Sequence, residues 1–96
     1  MKKVNKLSIA KKVIKEESLA LSKTASKIDQ NFEKVCDIIL ATKGKIITVG
    51  LGKSGHVAKK ASATFSSTGS PSIFLHASEA LHGDMGLVTK SDIVIF

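Results

Sequence analysis

Across the first 43 residues, apolar side chains recur at Leu7, Ala10, Ile14, Leu21, Ala25, Ile28, Phe32, Val35, Cys36, Ile39 and Leu40. This is close to the three-and-four spacing of one helical face and predicts a helical N-terminal region, residues 1–43. A break is expected near Ser26–Asp29, with Asp29 as a cap for a second helix over QNFEKVCDIILAT and "SKID" as a capping box. Gly44 is expected to close that helix from the C′ position.

The pattern then changes. Lys45–Val49 (KIITV) is a short β-branched run without polar alternation, as in a strand buried on both faces. A glycine loop comes next, then HVAKKASATFSST, a helix whose packed face should hold Val57, Ala61 and Phe65 and which Gly69 and Pro71 should stop. Ser72–His76 (SIFLH) predicts a second strand, SEALHGDMG a loop or short helix, and Asp92–Phe96 (DIVIF) a third strand. Strand, helix, strand, loop, strand is an α/β pattern with a parallel sheet. The sequence ends inside its third strand, so the expectation is the first half of a truncated domain.

Composition narrows the function classes. The chain has 96 residues, 43% of them hydrophobic, one cysteine and a net charge of +7. A single cysteine excludes an internal disulfide and favours a reducing, cytoplasmic setting. No apolar run is long enough to span a membrane, and the basic N-terminus lacks the apolar core of a secretory signal. The charge excess lies mainly in residues 1–43, where ten lysines face five acids. There is no arginine to read guanine and no aromatic interleaved with the lysines, so a solvated helix face is favoured over nucleic-acid binding.

The candidate chemistry begins at GLGKSG, Gly50–Gly55. Its glycine, lysine and serine match the end of a P-loop, yet the glycine required five positions before Gly52 is Ile47, so that motif fails. The dinucleotide fingerprint fits the glycines, but its acidic ribose ligand should fall near Leu75 and His76, and the nearest acid is Glu79. A dinucleotide-binding half-domain is therefore the structural alternative. In either case glycines let the backbone approach an anion, the helix start aims N–H groups at it, Lys53 adds a charge and Ser54 a hydroxyl donor. A second cluster, FLHASEALHGDMG, puts His76 at a strand end and His82 six residues later. Both clusters fall at carboxyl ends of strands, where open α/β sheets bind ligands. His-x5-His is not a diagnostic metal spacing, and no cysteine supports it.

GKIITVGLGKSGHVAKKASATFSSTGSPSIFLHASEALHGDMGLV closely resembles the N-terminal half of the sugar isomerase (SIS) domain of D-arabinose-5-phosphate isomerases. The G-x-G-K-S-G loop, the F-S-S-T-G-S-P turn and the H-x5-H-G-D-x-G segment occur together and in order. The resemblance implies a Rossmann-like or flavodoxin-like three-layer fold and interconversion of arabinose 5-phosphate and ribulose 5-phosphate on the Kdo and lipopolysaccharide route. It implies that Lys53 is catalytic and that Gly69, Ser70 and His82 contact the sugar phosphate, to which the loop's own chemistry adds Gly52 and Ser54 as binding residues. It also places zinc, where bound, at His76, as an inhibitory or structural ion and not a required cofactor. Family members are homotetramers with sites completed across subunits. The serine-rich phosphate loop, the glutamates expected as base and helper, a further histidine and the CBS modules do not occur in these 96 residues. The expectation is an isomerase-like chain inactive alone, with a non-catalytic sugar-phosphate-binding module as the alternative.

Overall fold

The computed structural model describes residues 3–96, which fall into two compact units dividing between Lys34 and Val35. The first unit is dominated by α1 (Lys6–Lys27), which starts where the Asn5 side chain accepts the Ser8 N–H at 3.0 Å. At the break predicted near Ser26–Asp29, the Asp29 carboxylate accepts the Asn31 N–H at 2.9 Å and caps α2 (Gln30–Ala41) as expected. The "SKID" capping box does not form. Ser26 lies inside the last turn of α1 and donates its hydroxyl backwards to the Lys23 carbonyl at 2.7 Å.

The apolar periodicity makes helices here without burying them. No residue of α1 or α2 is buried, and Leu7, Ile14 and Leu21 are 66%, 65% and 72% exposed. Cys36, expected in a buried position, is half-buried.

The second unit is built on β1 (Ile46–Gly50), whose first four residues are buried. β1 pairs in parallel with β2 (Ser72–His76) on one side and β3 (Ile93–Ile95) on the other, giving the order β2-β1-β3. The fold is thus α/β with helices preceding a small parallel sheet, as expected. Alternate residues of β1 serve opposite faces. Ile47 and Val49 pack with Leu75, with Ile73, Val94, Ala77, Ala80 and Val88 around them. On the other face lies α3 (Gly52–Ser67), where the Thr48 hydroxyl donates to the Ala58 carbonyl at 2.7 Å and the Ser72 hydroxyl meets that of Ser62 at 2.9 Å. Each fully buried Ile or Leu contributes about 1.5–3 kcal/mol of transfer free energy, far more than an exposed ion pair such as Lys12–Glu16.

The packed face of α3 differs from the expected one. Ala61 and Phe65 are half-buried, but Val57 is 70% exposed, and the buried positions are Gly55 and Ser62. Small residues are what let this helix lie close to the sheet. α3 ends in a Schellman motif: the Ser70 N–H reaches the Phe65 carbonyl at 2.9 Å, the Gly69 N–H reaches Ser66, and Gly69 takes φ +99°. Gly44 does not play that part for α2, which ends at Ala41; Gly44 lies outside the positive-φ glycines. Its glycine is needed because a Cβ would collide with the Ser91 carbonyl and the Asp92 carboxylate.

That carboxylate fastens β3 to β1. Asp92 accepts the Lys45 ammonium at 2.8 Å, the Lys45 backbone N–H at 2.9 Å and the Thr89 N–H at 2.7 Å, with its own side chain 1% exposed. The Lys45 ammonium first, then these backbone donors, hold the Asp92 carboxyl well below the usual carboxylate range. The unfolded chain therefore takes up this proton at higher pH than the folded one. Asp92 stabilisation is complete above the unfolded value, about pH 4, and is lost as pH falls further toward the folded value. Urea midpoints of the parent and Asp92→Asn should differ by a constant amount between about pH 5 and 8, and the gap should close below about pH 4. A gap that persists unchanged in acid would remove this role. Gly69→Ala should cost about 1–2 kcal/mol through backbone strain alone, because nothing lies within 4 Å of the added Cβ.

Candidate functional site

The order β2-β1-β3 means that the chain leaves β1 toward one side and returns to the other. Ligand crevices in open α/β sheets form outside the carboxyl ends of strands at such a reversal. The carboxyl end of β1 is Gly50, and the turn into α3 is tight. A Cβ at Gly50 would stand 2.7 Å from the Ser54 carbonyl and 2.8 Å from the Gly55 Cα, and one at Gly55 would meet Gly50 at 3.3 Å. Gly52 opens α3 at φ +59° with nothing near its missing side chain. Two glycines are thus required for backbone proximity, and the third for its conformation.

Lys53 and Ser54 sit in the exposed first turn of α3. The N–H groups at this helix start have no acceptor one turn earlier, apart from Gly55, which reaches the Leu51 carbonyl at 3.3 Å. No acid lies in that turn, and α3 carries Lys53, His56, Lys59 and Lys60. The helix dipole and the lysine charges reinforce one another toward an anion. Lys53 has no ion-pair partner among the described residues. Ser54 is used differently from the donor role expected of it. Its hydroxyl accepts the Leu51 N–H at 3.1 Å and donates to the Leu51 carbonyl at 2.7 Å, so it braces the loop. Leu51 has no side-chain acceptor to return the contact, so the capping runs in one direction only.

His76 ends β2 at the same edge of the sheet, paired in register with Gly50. Its ring, with Gly52, Gly55, His56, Lys59 and Phe74, lines a hollow of about 260 Å³. The Lys59 ammonium stands 5.4 Å from the centroid of Phe74, which meets the His76 ring edge-on at 6.3 Å and 85°. Lys59 and Phe74 carry no motif signal in the sequence; a lysine six residues after Lys53, nearly two helical turns on, is the one hint of them. A larger hollow of about 680 Å³ runs along one face of α1, but its lining from Asn5 to Leu19 holds no convergent chemistry.

Of the expected residues only Gly52 and His76 line this hollow; Lys53 and Ser54 lie on the turn beside it, and the others are not brought to it. His82 lies on an exposed turn between α4 (Ala77–Ala80) and a 3-10 turn at Asp84–Leu87, with its backbone N–H on the Glu79 carbonyl at 3.0 Å. Gly69 and Ser70 precede β2 and so sit at the opposite end of the sheet, beside Thr42, Gly44 and Ile46. The five residues of β2, about 16 Å of extended chain, separate them from His76. Gly69 and Ser70 therefore lie apart from the hollow beside α3, because the chain enters β2 at the end of the parallel sheet opposite to the carboxyl end of β1.

These features define an α/β domain with a parallel sheet and a lysine-bearing helix start at the sheet reversal. The sequence profile of the SIS domain matches residues 39–96, and the chain belongs to that family. It is 49% identical over 86 residues to the arabinose 5-phosphate isomerase KdsD of Pseudomonas aeruginosa, covering 90% of this chain and 26% of that protein. It is 47% identical over 85 residues to KdsD of Escherichia coli K12, covering 88% and 26%. Among solved structures it resembles an E. coli CFT073 protein in complex with arabinose 5-phosphate, with TM-score 0.83 and 35% identity over 95% of this chain and 50% of that one. A sugar-phosphate isomerase-like structure from Listeria monocytogenes gives TM-score 0.83 at 31% identity, over 96% and 50%. The chain thus spans about a quarter of these curated relatives and half of these solved chains.

Gly50→Ala should destabilise the chain more than Gly69→Ala, since it adds a backbone collision where Gly69→Ala adds strain only. Urea midpoints of the two variants decide it, and equal losses would mean that the β1–α3 turn relaxes freely.

Proposed function

We propose that this chain binds arabinose 5-phosphate at the turn between β1 and α3 and supplies the Lys53 half of an aldose–ketose isomerase site. The observation that carries the reading is Lys53 in an acid-free first helical turn at the carboxyl end of the central strand, in a chain related to arabinose 5-phosphate isomerases.

The chemistry asks for two things. Moving a proton between C2 and C1 through an enediol needs a base near neutral pH, and it needs donors or positive charge facing the oxygen that becomes negative. Lys53 and the first N–H groups of α3 meet the second need. His82 serves it as well, if the exposed turn that carries it folds toward ligand. For the first need the hollow beside the turn offers the imidazoles of His56 and His76 but no carboxylate, and the glutamates that the resemblance expects as base and helper do not occur in these 96 residues. The reading is therefore binding without turnover by this chain alone. Its metabolic setting is the cytoplasmic reaction supplying arabinose 5-phosphate to the Kdo and lipopolysaccharide route. A homotetramer, which the resemblance implies, would complete the site across copies.

Calorimetric titration of the 96-residue chain with arabinose 5-phosphate should give saturable binding. Lys53→Ala should weaken it about ten- to a hundredfold, the worth of one charge-assisted hydrogen bond. Arabinose without phosphate should bind far more weakly, and no ribulose 5-phosphate should form. Binding indifferent to Lys53→Ala would remove Lys53 from the site, and turnover abolished by that variant would show the chain to be an enzyme by itself.

A further inference from the structure

The resemblance places zinc at His76, and the local geometry argues for another use of that ring. His76 is the N-cap of α4: its Nδ1 accepts the Ser78 N–H at 3.1 Å. A neutral imidazole carries one N–H, and a nitrogen that accepts a hydrogen bond does not hold it, so the proton is on Nε2. Turning the ring over would set a C–H against the Ser78 N–H and lose the bond, so the cap fixes orientation and tautomer together.

A ligating histidine normally binds metal with one nitrogen and donates the other N–H to a carboxylate, carbonyl or water. Here the second nitrogen faces a donor, which is the reverse arrangement. Coordination through Nε2 would require either an anionic ring or a broken cap. Among the described residues, no three His, Cys, Asp or Glu side chains gather into a set that could hold a metal ion. The rest of the hollow adds the Lys59 charge and no anionic metal ligand: His56, Lys59, Gly52 and Gly55 line it with Phe74, and no carboxylate or thiol does.

We propose that His76 in this chain is an Nε2–H donor, locked by its cap and aided by Lys59, toward the oxygens of an oxyanion such as phosphate, and is not a zinc ligand. This goes beyond the sugar-phosphate reading, which concerns Lys53 and the first turn of α3, and it stands or falls separately.

The test uses the full ¹⁵N-labelled chain. Long-range ¹H–¹⁵N spectra of the imidazoles should show the Nε2–H pattern for His76. Titration with inorganic phosphate should move the His76 ring signals saturably. His76→Asn keeps a capping oxygen and loses the ring donor, so it should retain the fold and weaken phosphate binding about tenfold. Lys59→Gln should weaken it similarly. One equivalent of zinc should leave the His76 ring signals in place. An Nδ1–H pattern, ring signals displaced by stoichiometric zinc, or phosphate shifts confined to the Gly52 and Lys53 amides would each overturn the proposal. In the last case a retained response of Lys53 to arabinose 5-phosphate would leave the sugar-phosphate reading intact. Phosphate and arabinose 5-phosphate titrations run side by side distinguish a general oxyanion pocket from one that accepts only the sugar ester.

Discussion

The architecture of the second unit hangs on one carboxylate. Asp92 gathers the ammonium and backbone N–H of Lys45 and the N–H of Thr89, and so fixes β3 beside β1 although the two strands share only three register pairs. A three-residue parallel strand has little ladder to hold it. The buried, triply bonded Asp92 supplies the missing constraint at the point of entry. Without β3 on that side, β1 would be an edge strand and the order would have no reversal. The crevice at the carboxyl end of β1, where Lys53 and the start of α3 lie, therefore depends on a contact at the far end of the same strand. Gly44 belongs to that contact, because any side chain there would occupy the space of the Asp92 carboxylate.

The two faces of β1 divide the labour between them. Ile47 and Val49 face an apolar cluster, whereas Thr48 faces α3 and donates into its backbone. Small residues on α3 permit that approach, and the approach in turn sets where the glycine turn and the hollow above Phe74 fall. The basic side chains of α3 lie on what is left of its surface. The basic character of this edge thus follows from how closely the helix must lie on the sheet, with lysines placed where packing leaves room.

The parallel α/β organisation, the three strands and the helix break at Asp29 were legible in the chain because they rest on local signals: a β-branched run, capping chemistry and glycine punctuation. The glycine turn and Lys53 were legible for the same reason. Less visible was anything decided by direction and distance. Gly69 and Ser70 look like neighbours of His76 along the sequence, yet parallel strands carry them to the opposite end of the sheet. Val57 fits an apolar helical face by spacing, but the helix turns Gly55 and Ser62 toward the strands, since a close crossing selects small volume over hydrophobicity. Gly44 reads as a helix terminator and is instead a steric allowance for Asp92, far along the chain. The apolar stripe of α1 predicts a helix correctly and says nothing about what covers it.

Ser54 has a consequence for nucleotides. In phosphate-binding loops that end in glycine, lysine and serine, the serine hydroxyl is a ligand of the magnesium ion that accompanies the nucleotide. In this chain the same three residues occur in order, but the hydroxyl oxygen is bonded in both directions to the backbone of Leu51. A magnesium–nucleotide complex approaching α3 would find the lysine and the glycines, and a hydroxyl already committed to two backbone hydrogen bonds with one lone pair left over. The residues that elsewhere close a nucleotide loop here serve first to hold the loop's own shape.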